Sequence, residues 1–255
     1  MTKKAGNWLV PLLQNKNPAL RLFCFPYAGG GASVFRNWKK FLSKDFEAYA
    51  LQAPGRETRF SEMPISDMNA LVKQTVDAIR PLTDRPFVLF GHSLGSTIAF
   101  ETARRLQAEG FNPTLLIVSG RQCPEAPSKR APIGHLPENE FLKGLEGYNG
   151  TPAEVLQNKD LIELLLPMIR ADFQLSENYR YQAEADPLNC PILALGSKQD
   201  IWLDPAYLEG WTAFTSGKFE SKWFEGDHFY LNQYTAELVA EINLKLSSYT
   251  GTKQP

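Results

Sequence analysis

The 255-residue sequence contains few cysteines, and they are not arranged for cross-linking or for metal binding. Cys24, Cys123 and Cys190 are odd in number, lie far apart and form no C-x-x-C pair. Neither a disulfide framework nor a zinc site is therefore expected.

The sequence also lacks a long apolar run and an excess of charge of one sign. No segment approaches the roughly 20 apolar residues that a membrane span needs, and Pro11 and polar residues interrupt the apolar stretch near the N-terminus. The formal net charge is −1, with acidic and basic residues mixed along the chain. We expect a cytoplasmic protein that binds neither nucleic acid nor membrane.

Short apolar runs alternate with amphipathic stretches along most of the chain. Four of the runs are almost continuously apolar, as strands buried on both faces are. Strands are predicted at 20–25, 46–51, 86–90, 114–118, 191–195 and 219–224. Helices are predicted at 66–82, 95–110 and 229–248. Ser66 or Asp67 is the expected N-cap of the first helix, and Gly110 ends the second.

This alternation predicts an α/β fold with a mostly parallel sheet and helices on both faces. The alternation is interrupted between residues 124 and 186, where helical patterns occur without a convincing strand. We expect residues 1–255 to form a single domain and residues 124–186 to form a helical insertion within it.

The stretch "LFGHSLGST" contains a G-x-S-x-G motif centred on Ser93. Such a motif often occurs by chance, and the simplest alternative is a serine in a buried turn. Here the motif lies directly between a predicted strand and a predicted helix, as a nucleophile elbow requires. The sequence therefore predicts that Ser93 is a nucleophile at the carboxyl end of a central strand.

A nucleophilic serine needs a base and an orienting carboxylate, which in this type of elbow follow in the order serine, acid, histidine. His92 is adjacent to the serine and is interpreted as a packing or hydrogen-bonding residue, while His135 precedes any suitable acid. His228 is therefore the predicted base. Asp200, in the loop after a strand, is the predicted acid, and Asp204 is the alternative, although Asp204-Pro is also a good helix start.

Backbone N–H groups are needed to bind the oxyanion that forms during acyl transfer. The residue after the nucleophile, Leu94, is one predicted donor. The other is expected from the loop "FPYAGGGAS", where either Tyr27 or Ala28 could serve. The glycines of this loop fit neither a P-loop nor a G-x-G-x-x-G pattern, so a nucleotide site is not expected.

The motifs "FPYAGG", "APGRE", "GHSLG", "GSKQD" and "FEGDHFYL" occur in an order that resembles the type II thioesterases. These are discrete enzymes of the α/β-hydrolase fold that accompany polyketide synthases and nonribosomal peptide synthetases of antibiotic biosynthesis. The resemblance covers about residues 21–247, and "PMIRADFQLSENY" is similar to the family's lid segment. It implies the same triad of Ser93, Asp200 and His228. One departure is the third consecutive glycine of "AGGGAS", and another is Leu94, where many members have methionine.

The resemblance implies hydrolysis of acyl or aminoacyl thioesters on the phosphopantetheine arms of carrier domains, in an editing role. No metal or redox cofactor is expected, because a triad and an oxyanion hole supply the chemistry. A monomer is expected. The alternatives are a free-standing esterase or lipase, an acyltransferase that uses the same triad, and a non-catalytic binding protein.

Overall fold

Seven strands form one sheet within residues 6–148, 150, 153–183 and 186–250, which the computed structural model describes. All six predicted strands are present, and the runs 20–25, 46–51 and 219–224 have the predicted bounds. The strands are β1 (Leu9–Leu13), β2 (Leu20–Phe25), β3 (Phe46–Leu51), β4 (Phe87–His92), β5 (Leu115–Ser119), β6 (Ile192–Ser197) and β7 (Phe219–Phe224).

The order of strands in the sheet is β1-β3-β2-β4-β5-β6-β7. Every neighbouring pair is parallel except β1 and β3, which are antiparallel. Strand β1 was not predicted from the sequence, because Pro11 lies in the middle of it. An edge strand tolerates proline, which has no N–H to donate to a second neighbour, and the register of β1 shifts between Pro11 and Leu13.

Helices connect most of the strands. The α-helices are α1 (Met68–Ile79), α2 (Leu94–Ala108), α3 (Glu138–Glu146), α4 (Ala153–Gln157), α5 (Lys159–Asn178), α6 (Pro205–Glu209), α7 (Tyr230–Gln233) and α8 (Thr235–Thr250). Short 3-10 helices cover Gly6–Trp8, Ala32–Lys40, Glu57–Arg59, Arg80–Leu82 and Gly210–Phe214.

Local signals in the sequence set several helix ends. Asp67 caps α1 by accepting a hydrogen bond of 2.7 Å from the N–H of Ala70, as predicted. Gly110 follows the end of α2 with a φ of +86°, also as predicted. The single helix predicted at 229–248 is wrong in one respect, because the chain leaves the helical conformation at Tyr234 and two helices result.

Apolar residues from both faces of the sheet form two separate cores. On one face, α1 and α2 pack against alternate residues of the strands, including Phe23, Leu89 and Leu116. On the other face, α8 and the 3-10 helix Ala32–Lys40 cover the intervening residues. This arrangement confirms the predicted α/β class, with a mostly parallel sheet and helices on both faces.

The chain between β5 and β6 contains α3, α4 and α5, and no strand occurs among its described residues. These helices have an apolar cluster of their own, which includes Phe141, Leu145 and Phe173. Ala28, in the loop after β2, packs against this cluster. The helices therefore lie over the carboxyl end of the sheet. None of the helices in the described part of the chain is long and apolar enough to cross a membrane.

Candidate active site

Ser93 lies in the sharp turn between the central strand β4 and helix α2. Its backbone has φ 54° and ψ −118°, one of two positive φ values among the described non-glycine residues. Such a conformation costs of order 1–3 kcal/mol and persists only where the surrounding structure holds it. Its N–H donates a 2.8 Å hydrogen bond to the carbonyl of Ser119 at the end of β5. The sequence context thus produces the strained elbow that was predicted.

Two glycines of the motif make this turn possible because strand and helix come very close together. A Cβ atom on Gly91 would lie 2.2 Å from the carbonyl oxygen of Gly95. A Cβ atom on Gly95 would lie 2.1 Å from the carbonyl oxygen of Phe25 in β2. Both contacts are with backbone atoms that cannot move aside easily. The glycines are therefore required by close approach, rather than by positive φ.

Asp200 and His228 form a short hydrogen bond, with 2.6 Å between Oδ2 and Nδ1. The Asp200 side chain is fully buried, and its Oδ1 accepts a bond of 3.0 Å from the N–H of Trp202. Burial alone would raise the pKa of Asp200, but the hydrogen bond and charge of His228 and the Trp202 N–H outweigh it and lower that pKa. Asp200 is therefore ionised at neutral pH, and it orients His228 with Nδ1 protonated and Nε2 free to accept a proton.

Ser93 and His228 line the same cavity, which has a volume of about 550 Å³. This size is typical of small-molecule sites. Asp200 lies at its wall, as do Tyr27, Ala28 and Leu94. The structure has no hydrogen bond between the Ser93 hydroxyl and the His228 ring, both of which are described. Catalytic hydrogen bonds are often long without substrate and tighten when it binds.

The other candidate acids and bases have different roles in the structure. Asp204, the alternative acid, caps α6 by accepting from the N–H of Ala206 at 3.0 Å. Asp227, the acidic neighbour of His228 in sequence, accepts from the N–H of Phe229 at 2.8 Å and has no bond to the His228 ring. His135 is exposed, in the loop before α3. No group of three or more His, Cys, Asp or Glu residues in the described part of the chain could hold a metal ion.

The loop after β2 presents backbone donors to the cavity. The N–H of Gly29 is already bonded to Asp172 Oδ2 at 2.7 Å, and the N–H of Gly30 is bonded to the carbonyl of Tyr27 at 2.9 Å. Within the described residues, the N–H groups of Tyr27 and Ala28 have no acceptor. Leu94 is the first residue of α2, so its N–H has no acceptor within the helix. These are the three donors that the sequence analysis named.

The third consecutive glycine of this loop has a steric explanation. A Cβ atom on Gly31 would lie 2.3 Å from Oε1 of Glu57, which in turn accepts from the N–H of Ser33 at 3.0 Å. The absence of a side chain at Gly31 therefore allows the carboxylate of Glu57, in the "APGRE" motif, to bind this loop.

A buried ion pair, which the sequence analysis missed, joins this loop to helix α5. Arg56 donates two hydrogen bonds of 2.8 Å to the two carboxylate oxygens of Asp172, and a third of 2.9 Å to the carbonyl of Gly30. Asp172 also accepts from the N–H of Gly29. Arginine and aspartate at these positions, in the quoted "APGRE" and "PMIRADFQLSENY" motifs, were the available signal. Their pairing fixes the loop after β2 against helix α5.

His92 is fully buried behind His228 and takes part in a chain of hydrogen bonds. Its Nε2 lies 2.9 Å from the carbonyl oxygen of His228, which can only accept. Burial lowers the pKa of His92 to about 3, with the nearby charge of His228 as a second cause. The ring is therefore neutral, with its proton on Nε2, and Nδ1 accepts from the Ser119 hydroxyl at 2.8 Å. The Ser119 oxygen can then accept from the Tyr230 hydroxyl. This chain supports the backbone that carries His228.

Comparisons with known proteins show the family to which the chain belongs. A family model described as "Thioesterase domain" matches residues 20–246. Linear gramicidin dehydrogenase LgrE of Brevibacillus parabrevis is 39% identical over 248 residues, covering 96% of this chain and 94% of its own length. Gramicidin S biosynthesis protein GrsT of Aneurinibacillus migulanus is 39% identical over 237 residues and covers 92% of each chain.

The fold of the chain is also similar to that of a solved structure. YbtT, a type II thioesterase from the yersiniabactin NRPS/PKS biosynthetic pathway, superposes with a TM-score of 0.82 at 30% identity, covering 92% of this chain and 96% of that chain. The chain therefore has the α/β-hydrolase fold and belongs to the thioesterase domain family, among its type II thioesterases.

Proposed function

We propose that Ser93, Asp200 and His228 form a catalytic triad that hydrolyses acyl or aminoacyl thioesters on the phosphopantetheine arms of carrier domains. The observation that carries this proposal is the 2.6 Å bond between Asp200 and His228 in the cavity that Ser93 also lines. The type II thioesterase family and the NRPS/PKS pathway of YbtT support carrier domains as the source of substrate.

The first half of the reaction transfers the acyl group to the enzyme. Ser93 Oγ attacks the thioester carbonyl carbon while His228 Nε2 takes the hydroxyl proton. The oxyanion accepts hydrogen bonds from the N–H of Leu94 and from that of Tyr27 or Ala28. The carbon–sulfur bond then breaks, and His228 returns the proton to the departing thiolate. The products are an acyl ester on Ser93 and a free carrier arm.

The second half releases the acid. His228 takes a proton from water, whose oxygen attacks the acyl ester, and the same N–H groups bind the new oxyanion. Collapse breaks the bond to Ser93 Oγ, which recovers its proton from His228. Asp200 stabilises the imidazolium in both halves because its carboxylate is ionised and bonded to Nδ1. In each half His228 takes up one proton and then releases it, so the ring is neutral again at the end: the proton of Ser93 leaves with the thiol, and a proton of water restores the Ser93 hydroxyl.

The helices between β5 and β6 act in this proposal as a lid over the acyl group. We propose, as the sequence predicts, that residues 124–186 are an insertion within a single domain. Ile169 and Phe173 of α5 line the cavity together with Tyr148. The ion pair between Arg56 and Asp172 holds this lid to the loop after β2. A lid of this kind limits the access of water to the acyl-enzyme.

The enzyme is proposed to act as a monomer in the cytoplasm. The three cysteines are free and buried, as suits a reducing compartment. The name of LgrE describes a dehydrogenase, but the glycines at 29–31 do not form the dinucleotide fingerprint G-x-G-x-x-G, so this activity is not carried over.

The test is mass spectrometry of an acyl-loaded carrier domain incubated with the wild type, Ser93→Ala and Ser248→Ala. Ser248 is an exposed serine of α8 and serves as the matched control. We expect the wild type and the control to unload the carrier, and Ser93→Ala to unload it no faster than buffer. Equal unloading by all three proteins would refute the mechanism. A strong preference for simple esters would favour an esterase, and transfer of the acyl group to an added amine or alcohol would favour an acyltransferase.

A further inference from the structure

The cavity contains a guanidinium, that of Arg130, which aromatic rings hold in place and which forms no ion pair among the described residues. The guanidinium of Arg130 lies between two aromatic rings, 3.7 Å from the ring centre of Tyr148 and 3.6 Å from that of Trp202. The two rings are nearly parallel, at 17°. Stacking of this kind fixes the plane of the guanidinium and leaves its edge, where the N–H groups are, free to bind another group.

Arg130 forms no ion pair with any residue that the structure describes, although Asp200 is near enough for its charge to act on it. No carboxylate in that part of the chain lies within salt-bridge distance of the guanidinium, and its Nε is buried without a hydrogen-bond acceptor. A buried donor without a partner is costly, and such atoms are rare in folded proteins. Burial lowers the pKa of Arg130 to about 10, so the side chain is still a cation at neutral pH.

A second arginine of the cavity is in a similar position. Arg121 follows β5, and its Nη1 donates a 3.1 Å hydrogen bond to the neutral hydroxyl of Ser176 in α5. It has no carboxylate partner in the described ranges. Besides the lowering by burial, the pKa of Arg130 is raised by the charge of the nearby Asp200 and lowered, by a smaller amount, by repulsion from Arg121. An anion between them would relieve this repulsion.

The acidic groups at the cavity wall form no ion pair with these two cations, because their oxygens are bonded elsewhere or are exposed. Asp200 is bonded to His228 and to the N–H of Trp202. Both oxygens of Glu177 accept bonds of 2.8 Å, from the N–H groups of Ile133 and Gly134. Glu125 is exposed. The basic Lys129, in contrast, pairs with Asp204. Three arginines of the cavity lining therefore form no ion pair among the described residues: Arg121, Arg130 and Arg180. Arg180 is exposed and donates to the carbonyls of Glu177 and Tyr179, which leaves Arg121 and Arg130 as the more buried candidates to bind a ligand.

We propose that Arg130, with Arg121, binds a free carboxylate on the acyl group, so that the enzyme accepts thioesters of dicarboxylic acids. The inference rests on the proposed function and names its substrate class. The position of the stacked guanidinium favours the acyl group over the phosphate of the arm. Trp202 belongs to the loop that carries Asp200, so the cation lies beside the triad, whereas the phosphate is separated from the thioester by the length of the arm. The planar fork of arginine matches a carboxylate with two parallel hydrogen bonds.

The test compares the N-acetylcysteamine thioesters of malonic acid and of its neutral monoamide. The two acyl groups have nearly the same shape, and neither substrate contains a phosphate. We expect kcat/KM of the wild type to be about tenfold higher for the malonyl thioester, since a charge-assisted hydrogen bond contributes about this factor. Arg130→Gln should bring the ratio of the two kcat/KM values close to one by lowering that of the malonyl thioester more than that of the amide, and Arg130→Lys should retain only part of the preference. Arg36→Gln, at an exposed arginine, is the matched control and should behave as wild type.

Three results would overturn the inference. The first is a wild type that hydrolyses both thioesters equally or prefers the amide. The second is an equal loss of both activities in Arg130→Gln. The third is arginine variants that slow every phosphopantetheine substrate, charged or neutral, but neither N-acetylcysteamine thioester, because the cations would then bind the phosphate.

Two further measurements keep the outcome clear. Malonate, but not neutral malonamide, should inhibit the wild type competitively, and equal inhibition by both would contradict the inference even if the variants do not fold. Hydrolysis of the amide thioester by the wild type, with its loss in Ser93→Ala, tests the proposed function separately.

Discussion

Removal of the Asp172 carboxylate should strongly destabilise the protein. The side chains of Arg56 and Asp172 are 7% and 3% exposed and share two hydrogen bonds of 2.8 Å. In Asp172→Ala the guanidinium remains buried without its partner, which typically costs about 3–5 kcal/mol. The N–H of Gly29 loses its acceptor as well. Because a domain is stable by only about 5–15 kcal/mol, this loss is a large part of the total.

The assay is urea unfolding followed by tryptophan fluorescence, together with a thermal melt. At about 2–4 °C per kcal/mol for a chain of this size, Tm should fall by about 6–20 °C. Asp77→Ala is the matched control, because Asp77 and Arg80 form an ion pair whose side chains are 51% and 39% exposed. Exposed pairs contribute about 0–1 kcal/mol, so the control should change little.

A double variant separates the interaction from the cost of an unpaired charge. In Arg56→Met combined with Asp172→Leu neither charge remains, so this double variant should be more stable than Arg56→Met alone and than Asp172→Leu alone. If Asp172→Ala is no less stable than Asp77→Ala, the ion pair does not hold the lid helix to the loop, and the reasoning is refuted.

Three further variants test other parts of the site. The pKa of His92 is about 3 in the folded protein against its usual 6.5, so the unfolded state binds more protons between these pH values. The free energy of unfolding should therefore fall by up to about 1.4 kcal/mol for each pH unit below 6.5. Urea unfolding at a series of pH values measures this dependence, which should be shallower in His92→Asn. Asp200→Asn should fold normally at pH 7 but lower kcat by on the order of 10³–10⁴-fold, because His228 would be held in the wrong tautomer; a kcat near wild type would contradict the triad. Gly95→Ala should lower Tm more than Gly110→Ala does. A Cβ atom at position 95 would lie 2.1 Å from a backbone atom, whereas a Cβ atom at position 110 would have no atom within 4 Å. Equal losses of Tm would show that the close approach at Gly95 does not matter.

Much of the fold could be predicted because the sequence carries local signals for it. Continuous apolar runs gave the central strands, and Asp67 and Gly110 marked helix ends by their own backbone chemistry. Strand β1 could not be predicted, since Pro11 interrupts its apolar run and its place at the edge of the sheet, where proline is tolerated, depends on the tertiary fold. The break at Tyr234 was missed for a different reason, as that stretch has no helix-breaking residue.

The site was predictable where chain order restricts the choice. Three histidines and the order of serine, acid and base led to His228 and Asp200, which the structure brings together. Contacts between residues far apart in sequence could not be read in this way. Arg56 and Asp172 are 116 positions apart, and nothing local shows that they meet. The stacking of Arg130 between Tyr148 and Trp202 likewise depends on how the helices between β5 and β6 fold over the sheet.

The central claim is that the acyl group passes through Ser93, and the most direct measurement is capture of the acyl-enzyme. The enzyme is mixed rapidly with an acyl thioester, quenched in acid and digested, and the peptides are analysed by mass spectrometry. We expect the mass of the acyl group on the peptide that contains Ser93, at a level that rises before acid release becomes steady, and none in Ser93→Ala. Acid release at the wild-type rate with Ser93 unmodified at all times, or acylation of another residue in its place, would contradict the account.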